Sequence, residues 1–176
     1  MSSINKACDF FIRLQKSNNV YNPSTIKRLV TTEYFFEKLQ QSYNLYDSDL
    51  VCGLLSDNFV YESFFDFNHI KSKGEYLDYL SRNLMLMKKS GHKEKMELLY
   101  NSDTGEQVLI FNNKPIPKQS GEYVCLVATA NNLGTIDKLS LTLTSFYDNL
   151  FLPKDCIEDL ENIEVSIDDI LPSFLD

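Results

Sequence analysis

"DNFVYESFFDFNHIKSKGEYLDYL", residues 57–80, holds a strand, a loop and the start of a helix. "NFVYES" is rich in β-branched and aromatic residues, the composition of a strand. "SKGE" at 72–75 is a Ser-x-x-Glu capping box, in which Ser72 and Glu75 can satisfy the free amides of a first helical turn. The helix it opens carries Leu77, Leu80, Leu84 and Met87 at steps of three and four residues. "KSGH" closes it with Gly91 available for a left-handed cap. Between strand and helix, Tyr61, Glu62, Asp66 and His69 gather within nine positions. Whether they form a reactive constellation is the functional question of the stretch.

Upstream, "NNVYNPS" at 18–24 is a turn-rich break before a long helix from about Ser24 to Tyr46, with Phe35, Leu39, Tyr43 and Tyr46 along one side. "YDSDLVCGLLSDN" restarts the helical pattern over 48–55, where Asp47 or Asp49 can accept hydrogen bonds from free amides. Residues 3–17 place Ala7, Phe10, Phe11 and Leu14 at helical spacing.

Downstream the period changes. Segments 94–101, 106–113, 121–132 and 135–145 alternate or run apolar, separated by "SDTG", "KPIPKQSG" and "NNLG". Such short separators predict antiparallel neighbours in a meander. Helices first and a curved antiparallel sheet after them make an α+β fold, with helices covering one concave face of the sheet.

This order resembles the nuclear transport factor 2-like superfamily, whose members share a cystatin-like cone. The likeness is carried by "LYDSDLVCGLLSDNFVYES" (45–63), which resembles the family's acid, short helix, Asp and strand, and by the capped helix in "IKSKGEYLDYL". "GTIDKLSLTLTSFY" is similar to its final strand after a tight turn. The resemblance covers roughly residues 24–150 and implies a cone-shaped pocket between sheet and helices. It also implies a function drawn from SnoaL-like cyclases, ketosteroid isomerase-like enzymes, dehydratases or non-enzymatic binding domains. The isomerase branch uses an aspartate at the end of the first strand and a tyrosine of the long helix. Carried across without gaps from Asp57, those positions fall on Ser63 and Leu39. An unactivated hydroxyl takes no α-proton and leucine has no donor, so this chemistry is disfavoured.

The same alternation turns Phe59, Tyr61 and Ser63 toward the cone and Glu62 away from it. Glu62 then reads as an exposed or salt-bridging carboxylate. Tyr61 reads either as a wall aromatic or as a donor to a ligand. Phe35, Phe59, Tyr61, Ser63 and Tyr76 are the expected pocket lining. Asp66 and His69 fall in a rim loop, where they could pair as a general base or form a loop turn beside a surface histidine.

Composition narrows the alternatives. The chain has 176 residues, 43% apolar and 24% charged, with 12 Phe, 10 Tyr and no Trp, ample for a core or a lined cavity. The four cysteines (Cys8, Cys52, Cys125, Cys156) form no Cys-x-x-Cys pair and there are two histidines, so neither zinc nor a disulfide framework is expected. Reduced thiols and the lack of a secretory signal point to the cytoplasm. The longest strongly apolar run, "YVCLVATA", is too short to span a bilayer. The one basic cluster, Lys88, Lys89, His92, Lys93 and Lys95, is interrupted by Glu94 and Glu97, so no nucleic-acid face is expected.

Net charge is −8, and residues 153–176 hold eight acids against Lys154, leaving seventeen acids and sixteen bases elsewhere. That acidic segment has Ile157, Leu160, Ile163, Ile167, Ile170 and Phe174 close to helical spacing. It could fold back on the sheet, latch onto a second subunit or dock into another protein.

The expected organisation is an N-terminal helical extension (1–23), a cone domain (24–152) and an acidic amphipathic segment (153–176), assembled as a homodimer. The leading functional expectation is non-catalytic binding of a small apolar molecule, without cofactor or metal. A proton-transfer enzyme using Asp66 and His69 is the second. The third is an interaction module acting through the sheet face or the tail.

Overall fold

The computed structural model describes residues 22–65, 69–101, 105–111, 122–145 and 151–153. The expected helix over 3–17, the acidic segment from residue 154, and Asp66 lie outside them.

The first described element is the long helix α1 (Pro23–Leu45). Asn22 caps it by accepting a hydrogen bond from the Ser24 amide at 3.0 Å, and Pro23 fills the first turn, where no amide hydrogen is needed. Tyr46 ends it in the left-handed conformation (φ 56°), its amide donating to the Ser42 carbonyl. This unusual cap for a bulky residue swings the Tyr46 hydroxyl to the His92 carbonyl, 3.0 Å away, and joins the helix end to a distant loop. A short helix, α2 (Asp49–Cys52), follows, with the Asp47 carboxylate accepting from the Asp49 amide at 2.9 Å. It stops three residues before the expected end because the chain turns at Gly53 and enters strand β1 (Leu55–Ser63) early.

The rim loop contains a two-residue strand, β2 (His69–Ile70), paired antiparallel with β1. Helix α3 (Lys73–Ser90) is capped as its sequence predicts. The Ser72 hydroxyl accepts from the Glu75 amide at 3.2 Å, and Gly91 closes the helix at φ 68°. Its core-facing residues are Tyr76, Leu80 and Leu84, with Leu77 and Met87 at the edge.

Strands β3 (Met96–Asn101), β4 (Gln107–Phe111), β5 (Glu122–Ala130) and β6 (Ile136–Ser145) form the expected meander, and β7 (Phe151–Pro153) adds to the outside of β3. The seven strands lie in the order β2-β1-β6-β5-β4-β3-β7. All pairs are antiparallel except β1 with β6, which run parallel because α3 and the meander carry the chain round between them. Register shifts between Leu55 and Val60 and between Thr129 and Ala130 bend the sheet at β1, β5 and β6. The architecture is thus α+β, helices packed on a curved, mostly antiparallel sheet.

The main core lies between helices and sheet. Phe35, Phe36, Leu39, Phe59, Leu109, Ile136 and Leu139 are wholly buried in it. Each such side chain contributes about 1.5–3 kcal/mol by leaving water. Two carboxamides fix the long helix over the sheet. Gln107 donates to the Leu29 carbonyl and Gln40 to the Met96 carbonyl, both at 3.2 Å. No described helix is long and apolar enough to cross a membrane.

Candidate functional site

Alternation along β1 sets one wall. Leu55, Phe59, Tyr61 and Ser63 turn toward the helices and are buried, while Glu62 points to the opposite face. Across from it stands α3. Its Ser72 cap fixes the helical phase so that Tyr76, Asn83 and Met87, with the adjacent pair Tyr79 and Leu80 between them, fall along one side. These two walls border a half-open cavity of about 290 Å³, near the lower end of the roughly 300–1,000 Å³ usual for small-molecule sites. Phe111, Leu126 and Leu141 form its sheet side, Leu126 and Leu141 being direct partners across β5 and β6. Tyr43 closes it from the last turns of α1, and the exposed Leu86 stands at its rim.

The wall is dominated by tyrosine. Tyr61 lies 5.2 Å from Tyr76 and 5.6 Å from Tyr79 between ring centroids, and Tyr76 and Tyr79 are 6.4 Å apart. Their planes are tilted by 38°, 32° and 36°, arrangements in which ring quadrupoles attract. Tyr43 meets Phe111 edge-on at 6.2 Å. Burial, reinforced by the neighbouring phenols, raises the Tyr76 hydroxyl well above the ordinary tyrosine pKa. Burial also raises Tyr43, with smaller contributions from Tyr79 and the Glu94 carboxylate. Both stay protonated at neutral pH and act as neutral hydrogen-bonding groups.

Among the described residues, one acid belongs to this wall. Glu94 enters from the loop between α3 and β3, and its side chain is 13% exposed. Its Oε1 lies 3.4 Å from Nε2 of His92, which is half exposed. Its Oε2 is buried and has no hydrogen-bond partner among the described residues.

The expected site residues divide between the two faces of the sheet and the core. Tyr61 and Tyr76 lie on the cavity wall. Phe35 and Phe59 do not reach it. Both are fully buried in the core, Phe35 against Phe36 at 5.7 Å and Phe59 behind Tyr76 at 5.0 Å. Ser63 is also buried away from the cavity, because its hydroxyl accepts from the Phe65 amide at 3.3 Å and helps turn the chain after β1. Leu39 is a wholly buried core residue.

His69 is held in β2 directly opposite Glu62, and opposed residues share a sheet face, so its imidazole lies on the side away from the cavity. Nδ1 is 3.5 Å from the Glu62 carboxylate, which also holds Lys138 at 2.7 Å. The hydrogen bond from Lys138 lowers the Glu62 pKa. Among the described residues no cluster of three or more His, Cys, Asp or Glu could hold a metal ion.

No family model and no curated protein matches the sequence. Solved structures similar to the chain include a nuclear transport factor 2-like protein of unknown function from Cytophaga hutchinsonii. It is 13% identical over 64% of this chain and 89% of that one, with a TM-score of 0.46. A SnoaL-like protein of unknown function from Burkholderia thailandensis is 11% identical over 65% and 96%, with a TM-score of 0.47. A protein of unknown function with a cystatin-like fold from Methylobium petroleophilum is 10% identical over 65% and 76%, with a TM-score of 0.46. The likeness is one of fold.

Sequence reasoning missed several wall residues. Tyr79 and Asn83 stand three and seven positions after Tyr76, so the phase of α3 alone could have placed them. Tyr43 was legible as an apolar-side residue of α1, but not that this side ends at a cavity. Glu94 reads in the sequence as one charge in a solvated stretch, and nothing local marks it as turned inward.

Proposed function

We propose that this chain binds a small, largely apolar molecule in the cavity between α3 and the sheet and does so without catalysing a reaction on it. The observation that carries the reading is the wall itself: four tyrosine rings around about 290 Å³, with aliphatic side chains on the sheet side. Such a wall offers apolar contact area and a few orienting hydroxyls, the usual division of labour in ligand sites. A proton-transfer reaction through His69 is less well supported, since its imidazole and the Glu62 carboxylate sit on the outer face of the sheet. Neutral phenols can orient a carbonyl or hydroxyl, but a phenol raised by burial is a poor base at neutral pH.

Native mass spectrometry of the purified chain, set beside its denatured mass, tests this directly. The expected result is a passenger mass that disappears on denaturation, or, for protein purified empty, a melting temperature that rises with an added apolar ligand. Tyr79→Phe removes one wall hydroxyl and is expected to weaken that stabilisation by several-fold while leaving the unliganded melting temperature nearly unchanged. A chain that carries no passenger and is stabilised by no small apolar compound overturns the reading.

A further inference from the structure

Glu94 places a carboxylate on the cavity wall. Among the described residues the cavity's walls carry four phenols, one carboxamide, aliphatic and aromatic side chains and one carboxylate, and no lysine or arginine. The acid is only half accommodated. Oε1 faces the half-exposed His92 on the solvent side, while Oε2 is buried without a hydrogen-bond partner among the described residues. A carboxylate oxygen out of water with no donor is costly, and the cost falls when a donor arrives. The terminal torsion of a glutamate is soft and roughly two-fold, so a small rotation presents that oxygen to the cavity. Four tyrosine rings, Tyr43, Tyr61, Tyr76 and Tyr79, share the cavity wall with Glu94, and a tyrosine face attracts a cation lying within about 6 Å of its centroid.

We propose that the ligand of this cavity is a protonated organic amine on a small apolar body, its nitrogen donating to Glu94 and its carbon frame lying against the tyrosine rings. This rests on the cavity reading above and specifies its ligand class. An anionic ligand would meet Glu94 with no cation on the wall to offset the repulsion. A neutral alcohol would bind through the same apolar contacts but with a weaker, uncharged donor.

Three probes with nearly the same body separate these cases: 2-phenylethylamine, 2-phenylethanol and phenylacetate. Isothermal titration at neutral pH is expected to rank the amine at least tenfold tighter than the alcohol, and phenylacetate weakest. Glu94→Gln keeps the shape and removes the charge, so it is expected to erase the amine's advantage, bringing the amine and the alcohol to within about twofold of one another. Equal binding of amine and alcohol by the unaltered chain, or an amine preference that survives Glu94→Gln, overturns the charge assignment and leaves the cavity reading standing. Binding of none of the three overturns both. Because the ranking is read on the unaltered chain, it decides even where the variant folds poorly.

Discussion

On the helix-covered face of β1, Phe59 and Tyr61 pack among tyrosine rings and aliphatic side chains. One residue along, on the opposite face, Glu62 holds Lys138 at 2.7 Å and His69 at 3.5 Å. Glu62 and His69, which the sequence sets in one short stretch, therefore meet where water reaches them, while Tyr61 and Tyr76 stand on the cavity wall. The outer face is itself divided. At its β1 and β6 end it is charged, whereas Leu99, Val108, Ile110 and Cys125 on β3, β4 and β5 form a second buried apolar cluster. Position on the sheet, rather than residue type alone, decides which polar groups meet solvent and which face the cavity.

The sharpest way to break this comparison is to empty the inner face. Phe59 is wholly buried and lies 5.0 Å from Tyr76, so Phe59→Ala removes both core volume and the backing of a cavity ring. We expect a loss of about 3–5 kcal/mol in urea unfolding, with binding lost alongside. A loss below about 1 kcal/mol would mean that β1 does not carry the core.

The apolar end of the outer face is tested by its thiol. Burial pushes the Cys125 pKa from an ordinary 9.0 up to about 12, and the side chain is wholly shielded. At pH 8 its alkylation by iodoacetamide is expected to be slower than in the denatured chain by at least about a hundredfold. Cys52, which is only partly buried, should react sooner in the folded protein. Comparable labelling of both thiols would show that this end of the outer face opens to solvent.

How much of this was legible follows from how local each signal is. The caps of α3 involve residues three or four apart, so Ser72, Glu75 and Gly91 could be read directly, and the strand alternation separated Tyr61 from Glu62 before any fold was known. Asn22, the cap of α1, is an equally local signal, lying two residues before the expected helix start at Ser24. The parallel pairing of β1 with β6 is different in kind: it depends on a connection of more than seventy residues, and no short pattern encodes it. The same applies to β2, whose two residues become a strand only because Glu62 stands opposite His69. Glu94 on the cavity wall lies beyond local reading too, because the α3–β3 loop is held by a distant contact, the Tyr46 hydroxyl donating to the His92 carbonyl.

A smaller effect is expected at the turn that joins the two central strands. The Asn131 carboxamide donates to Thr135 Oγ1 and Asp137 Oδ1, both at 2.8 Å, and accepts from the Leu133 and Thr135 amides at 2.9 and 3.2 Å. Gly134 completes the turn at φ 86°. Asn131→Ala removes the whole set at a partly exposed site where water replaces some of it. A destabilisation of about 1–3 kcal/mol is expected, with ligand affinity unchanged because the turn lies apart from the cavity wall. A loss of affinity as large as the loss of stability would show that the turn and the cavity are coupled.

The smallest effects belong to the charged end of the outer face, and they are the ones that separate it from the cavity. His69→Ala changes a half-exposed side chain, and such surface substitutions usually move stability by no more than about 0.5 kcal/mol. Ligand binding should be untouched, whereas a function that runs through the imidazole would be abolished. Glu62 adds a pH signature. Its pKa is lowered in the folded chain, first by the hydrogen bond from Lys138, so its ion pair stabilises the fold fully above the ordinary value of 4.5. That contribution is lost as pH falls through the lower folded value. Its magnitude is small because water screens both partners. In urea unfolding, the difference between the unaltered chain and Glu62→Gln is therefore expected to be constant from neutral pH down to about 4.5 and to shrink below it. A difference that instead grows in acid would mean that the carboxylate is a burden on the folded state, and that the outer cluster is held together by something other than its charges.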